Sequence, residues 1–317
     1  MLGRRILRIK AFKELYAYSR NRGMTLKEAL SALDLSCEAV RDLYLFLLGA
    51  IPAVTAEAAR VAEAARSKFN PTEEERNPNL KFVGNSLAPI LQEDPDFQKL
   101  ISQKKLSWEQ YDMLVHHLYG SLREAPWFEA YMNSPQRTLA QDVALFKRFY
   151  EESFEDNEEL ESILEDQSIH WVDDLPYALG CVIRSLDGIR RTKRWSYPPL
   201  YQSDQLLQEG KKAESDKDFV TSLLRFTYAH FDEYLEEIAA NVSQWDSKRL
   251  FTTDLILIAM GLAEAEFLPG IPLKVTLNEY VEIAKYYSTP RSRSFVNGLL
   301  DKLIREHIAS GRITKSY

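Results

Sequence analysis

The sequence predicts an all-α protein, and three observations carry that prediction. Apolar side chains recur every three to four residues along most of the 317-residue chain, which is the period of an amphipathic helix. Runs of alternating β-branched residues are lacking, so no segment reads as sheet. Only 12 Gly and 13 Pro are present, too few for a fold made of many tight turns, while a 45% hydrophobic content excludes a disordered chain. The 16 Tyr and 15 Phe supply large core-filling side chains.

In chain order, residues 4–19 place Ile6, Ile9, Phe12 and Tyr16 at helical spacing, with Arg4 and Arg8 together on another face. Thr25 and Glu28 have the spacing of a capping box and open a second helix. Ser36–Ala50 and Pro52–Lys68 read as the next two, with Pro52 suited to a first turn. Asn70–Asn79 is a polar loop with two Asn-Pro steps. Further helices are expected over 92–104, 107–120, 139–153, 158–166 and 175–188. Glu209–Asp218 is charged and reads as a linker. Beyond it, helices are expected over 219–242, 247–268, 278–287 and 292–308. Gly298 inside an apolar run costs about 1 kcal/mol against alanine, which suggests a close helix approach there, with Asn297 beside the crossing.

Two cysteines, Cys37 and Cys181, stand far apart without a neighbouring His or Cys. This argues against a disulfide framework or a zinc site and fits a reducing compartment. Residues 6–18 are broken by Arg8, Lys10, Lys13 and Glu14, so no secretory signal is read, and Leu255–Ala263 is half the length of a membrane span. A cytoplasmic location without membrane attachment is expected.

The net charge is −7 but unevenly spread. Residues 1–30 sum to +6, residues 285–317 to +5 and the rest to −18. Residues 151–174 hold eleven acids and no Lys or Arg. Two basic ends on an acidic body suggest a polyanion site if the ends meet in space; solvated basic tails are the ordinary alternative.

Catalytic chemistry is not visible. His116, His117, His170, His230 and His307 form no His-x-x-x-His pair, and no phosphate-cradling or nucleophile motif occurs. The Glu-x-x-His spacing of a di-iron bundle is also missing. A non-enzymatic protein without cofactor or metal is the expectation.

The C-terminal blocks are more specific. IPLKVTLNEYVEIAK at 271–285 and FVNGLLDKL at 295–303 resemble the NusB family of transcription antitermination factors, whose members carry IP-x-K-V-x-I-N-E and F-V-N-G with similar separation. Arg4, Arg5, Arg8, Ala11, Leu15 and Tyr16 resemble the family's arginine-rich first helix, and Thr253–Ala259 the start of its central buried helix. The departure is YYSTPRSRS before the second block, where relatives have a Gly and an acid.

The resemblance implies a NusB-like helical bundle formed by residues 1–30 and 219–317, with 31–218 as a helical insertion. It implies binding of single-stranded boxA-type RNA together with the ribosomal protein NusE, within the transcription elongation complex and without catalysis. Arg4, Arg5 and Arg8 would contact phosphates, with Lys274, Arg291 and Arg293 adding contacts. By family position Phe295 would stack on a base, an ordinary core role being the alternative. Tyr16 and Asp254 would face the protein partner, although a buried tyrosine and a helix-start acid explain them equally. Two other readings compete: a helical protein–protein adaptor that does not bind RNA, suggested by the acidic 151–174 segment, and a domain of an RNA methyltransferase, for which no glycine-rich cofactor loop is found.

Overall fold

The computed structural model describes residues 3–171, 173–198, 201, 216–242 and 251–316. Among them are fifteen α-helices and no strand. The chain divides into two compact units, Met1–Cys37 with Pro199–Tyr317, and Glu38–Pro198. Sequence alone suggested edges at 30 and 219.

The first unit is built around α13 (Thr252–Phe267). Ile256, Leu257, Ile258, Ala259, Met260 and Leu262 are buried there on all sides, as a helix apolar all round must be. Packed about it are α1 (Arg4–Arg20), α11 (Asp216–Ala229), α12 (Phe231–Val242), α14 (Leu273–Tyr287) and α15 (Ser292–Ala309). The glycine that permits close packing is Gly261 on α13. A Cβ there would lie 2.6 Å from Leu300 on α15 and 3.3 Å from Tyr280 on α14. The same role expected for Gly298 is not found: Gly298 and Asn297 are exposed, with open space beside the glycine.

Helix α2 (Leu26–Arg66) replaces the three helices expected over this stretch. It opens on the predicted capping box: the Thr25 N–H donates to Glu28 Oε2 at 2.8 Å, and the Glu28 N–H to Thr25 Oγ1 at 3.3 Å. Pro52 sits inside it rather than at a start. A proline removes one intrahelical donor, the one that would serve the Leu48 carbonyl, and the two carbonyls just before it accept side-chain donors. Trp108 Nε1 donates to Phe46 O at 2.7 Å and Tyr150 OH to Leu47 O at 2.6 Å. An 18-residue stretch of α2 has a mean hydropathy of 1.5, long and apolar enough to cross a membrane by length and composition, and 56% of it is buried in the fold. This stretch is longer than Leu255–Ala263, the segment that stands out as apolar in the sequence.

The second unit continues with α3 (Glu73–Arg76), α4 (Leu87–Gln92), α5 (Pro95–Lys104), α6 (Asp112–Glu124), α7 (Pro126–Asn133), α8 (Leu139–Ser153), α9 (Glu158–Gln167) and α10 (Leu175–Thr192). Helix α8 packs on α4, α6, α7 and α10. Its Phe146, Phe149 and Tyr150 join Phe46, Phe82, Trp108 and Phe154 in an aromatic core. Cys37 and Cys181 are buried free thiols, one in each unit. The helix expected over 219–242 is two, α11 and α12, separated at His230. Most of the linker at 209–218 and the start of the helix expected at 247 lie outside the described residues.

Candidate nucleic-acid interface

Helix α1 carries the first set of candidate cations, and folding sorts them. The stripe that faces the core includes Leu7, Ala11, Leu15 and Tyr18; of the expected set, Phe12 is buried, Ile6 and Ile9 are half-buried and Tyr16 is exposed. Arg8 lies beside that stripe and is buried, 1% exposed. Its Nε and Nη2 donate to the two carboxylate oxygens of Glu264 on α13, at 2.7 and 2.8 Å. Glu264 also accepts from Thr276 Oγ1 at 2.8 Å and Tyr280 OH at 3.0 Å, both on α14. Burial works against the charge on Arg8, but the Glu264 carboxylate outweighs it and holds the guanidinium above its ordinary pKa. Arg8 therefore ties three helices together and is not presented to phosphate, a correction to its expected role.

Arg4 and Arg5 stay near the surface. The Arg4 guanidinium lies 4.7 Å from the ring centroid of Phe219. Arg5 donates to both oxygens of Glu279 on α14, at 2.9 and 2.8 Å, and its side chain is 48% exposed.

Asp254 also departs from expectation. It is 1% exposed, and Ser288 Oγ donates to its Oδ1 at 2.5 Å. Ser292 Oγ and Thr253 Oγ1 lie within hydrogen-bond distance of Ser288 Oγ, at 2.8 and 3.2 Å. Burial raises the Asp254 pKa, against the hydrogen bonds of Ser288 and Ser292. The hydroxyls of the unusual YYSTPRSRS segment thus form a joint between the start of α13, the end of α14 and the start of α15. Asp254 belongs to that joint and is not presented at the surface of its unit, a correction to its expected role. Tyr16 is 41% exposed, with its ring 6.5 Å from that of Phe12, and remains accessible.

The remaining cations gather on the outer face of α14 and the first turn of α15. Lys274, Arg291 and Arg293 are exposed, and Phe295 is half-buried in that first turn. Lys274, Asn278, Arg293, Ser294 and Asn297 border a cavity of about 370 Å³ floored by Leu277 and Val281. One turn further along α14, Glu282 accepts from Lys285 Nζ at 2.5 Å. That bond holds its carboxyl below the usual range, and the charges of Arg5 and Arg293 both act in the same direction. The beginning of α1 and the beginning of α15 are therefore brought to the same helix. The sequence signal that was missed is the pair Asn278 and Asn297, visible in the motifs but not as lining of one groove. Among the described residues no group of three or more His, Cys, Asp or Glu could hold a metal ion.

Fold and site together define an all-helical bundle with a cationic groove between its last two helices. Comparison with known proteins assigns it more closely. Residues 191–305 match the NusB family profile. The transcription antitermination protein NusB of Thermodesulfovibrio yellowstonii is 35% identical over 96 residues, covering 30% of this chain and 64% of the relative. That of Salinibacter ruber is 36% identical over 102 residues, 32% and 64% respectively. That of Methylacidiphilum infernorum is 35% identical over 118 residues, 37% and 72%. The chain belongs to the NusB family. It spans 64% of the length of the first two relatives, and no solved structure matches it.

Proposed function

We propose that this protein is a non-enzymatic, RNA-binding transcription antitermination factor. On this reading it binds single-stranded boxA-type RNA with the ribosomal protein NusE in the cytoplasm, as part of the elongation complex. The observation that carries the reading is that cations from three helices converge on α14: Arg5 of α1 is bonded to Glu279, and Arg293 of α15 borders one groove with Lys274. Exposed cations along one helix pair suit a phosphate backbone. The transcriptional role follows from the relatives, which are transcription antitermination proteins. Arg4, Arg5, Lys274, Arg291 and Arg293 would make the phosphate contacts, Phe295 would stack on a base and Tyr16 would meet the protein partner. Arg8 and Asp254 are left out because both are buried and paired. Residues 38–198 would be a helical addition to this RNA-binding core.

Filter binding to a boxA-containing RNA, with and without NusE, tests the proposal. The boxA strand should bind more tightly than a scrambled strand of equal length, and NusE should increase the difference. Reversing Lys274, Arg291 and Arg293 together should weaken binding to every sequence and flatten its salt dependence by about 0.7 in log–log slope per lost contact. Equal affinity for boxA and scrambled RNA would count against it. A partner retained after ribonuclease treatment would instead favour the adaptor reading.

A further inference from the structure

Helix α2 carries small side chains along one side of its middle. Gly49, Pro52, Ala53 and Ala56 fall at helical spacing there, and a cavity of about 580 Å³ within the second unit opens on them. Its other apolar walls are Phe97 and Ile101 of α5, Leu106 and Trp108 of the segment that follows, and Val115 of α6. The Trp108 indole is fixed in place. It stacks on Phe46 with centroids 4.7 Å apart and planes 12° apart, and its Nε1 donates to Phe46 O at 2.7 Å. A Cβ at Gly49 would lie 3.0 Å from it, so only glycine admits the ring this close to the helix. The cavity is preformed, and its volume falls within the about 300–1,000 Å³ typical of ligand sites.

Four charged residues border this apolar space: Glu57 and Arg60 of α2, Glu109, and Asp112 at the start of α6. Glu57 is already engaged. Its side chain is 7% exposed, it accepts from Arg60 Nε and Nη2, both at 2.7 Å, and His116 Nδ1 lies 2.8 Å away. Burial pushes the Glu57 carboxyl up, but Arg60 and His116 outweigh it and hold it below the usual range. Glu109 and Asp112 differ. Both are exposed, and neither carboxylate has a hydrogen-bond or ion-pair partner among the described residues. The lining therefore sums to −2, in a unit that holds 27 Asp and Glu against 18 Lys and Arg. Such a field draws a cation and repels an anion.

We propose that this cavity binds a small organic cation, with its apolar body against Phe97, Leu106 and Trp108 and its charge at Glu109 and Asp112. A bare metal ion would leave the apolar walls uncovered, and a neutral hydrophobe would leave the two carboxylates unanswered. The ligand class is an amine or guanidine joined to an aromatic or branched aliphatic group. Burying that group supplies the affinity, and the carboxylates select its charge. The residues proposed to contact RNA all lie in the other unit, so this site is distinct from theirs and does not depend on that reading.

The test uses the full chain and three probes that share one ring and differ in charge: 1-naphthylmethylammonium, 1-naphthylmethanol and 1-naphthylacetate, each titrated by calorimetry at low salt. The wild type should bind the cation about tenfold more tightly than the anion, as two exposed ion pairs allow, with the alcohol between them. The double variant Glu109→Gln with Asp112→Asn should bring cation and anion within about twofold and leave the alcohol unchanged. Ala53→Phe fills the cavity and should weaken all three at least tenfold. Ala56→Leu, at an exposed position, should act in the same direction, and unchanged thermal unfolding shows that each variant folds. Equal binding of cation and anion by the wild type, a preference that survives in the carboxylate variant, or affinity that survives in folded Ala53→Phe and Ala56→Leu overturns the proposal. So does a wild type that binds none of the probes.

Discussion

The two faces of α14 carry the same kinds of side chain and treat them oppositely. On the inner face, Thr276 and Tyr280 donate to Glu264, which also holds Arg8, and each of these polar groups is satisfied by another. On the outer face, Lys274 and Asn278 lie two residues earlier, about 200° round the helix, and have no protein partner. A buried polar group must be paired to be tolerated, whereas an exposed one is free to wait for a ligand. A basic residue in this family pattern is therefore structural or functional according to the face it occupies, and charge counting cannot tell the two apart.

Breaking the inner face has the largest expected effect. Glu264→Ala leaves the Arg8 guanidinium buried without its partner, and removing one member of such a pair costs about 3–5 kcal/mol. Thermal unfolding followed by circular dichroism should show a marked fall in midpoint for the first unit. Replacing both members, Arg8→Met with Glu264→Leu, should recover much of the loss, since no lone charge then remains. If Glu264→Ala leaves the midpoint unchanged, the inner-face network is not what holds α1, α13 and α14 together.

Much of this architecture was legible beforehand, and the failures have identifiable causes. Helix α8 runs over its full expected length: its apolar period is clean, and Thr138 caps it, accepting from the Gln141 N–H at 3.3 Å. Helices α3, α4 and α7, of four to eight residues, contain too few turns for a period to show. Pro52 read as a helix start, because the packing that surrounds the middle of α2, with Trp108 and Tyr150 bonded to Phe46 O and Leu47 O, comes from far along the chain. The site was half visible. Lys274 and Arg293 stood out by charge, but the removal of Arg8 from the surface depends on Glu264, 256 positions away. Asp254 was misplaced for the same reason, since its hydroxyl partners come from the ends of two other helices.

A second buried cluster sharpens the comparison through pH. His307 on α15 is held between Glu237 of α12, 2.6 Å away, and Glu266 of α13, 2.8 Å away. Arg312 and Tyr234 share these carboxylates. Burial alone would lower the His307 pKa, but the two carboxylates outweigh it and raise the value above the ordinary 6.5. The folded state then holds this proton more tightly than the unfolded chain does. Its stabilisation is complete below about pH 6.5 and is lost as pH rises through the higher folded value. Urea midpoints measured from pH 5.5 to 8.5 should fall across that window in the wild type and fall less in His307→Gln. Equal slopes in the two proteins would show that another group controls the dependence.

The smallest effect belongs to Arg5, one turn from Arg8 on the same helix. Its bidentate pair with Glu279 has the geometry of the buried one, at 2.9 and 2.8 Å, but water reaches it, since the Arg5 side chain is 48% exposed. Exposed pairs contribute about 0–1 kcal/mol, because the medium screens them and the side chains lose freedom in forming them. Arg5→Ala should therefore shift the urea midpoint by no more than that, while Glu264→Ala on the inner face shifts it several-fold further. The same exposure lets an incoming phosphate compete with Glu279 for the guanidinium, so Arg5→Ala should reduce RNA affinity at low salt more than at high salt. A stability loss as large as that of Glu264→Ala would mean that the two arginines do the same work, and the division between the faces of α14 would have to be drawn elsewhere.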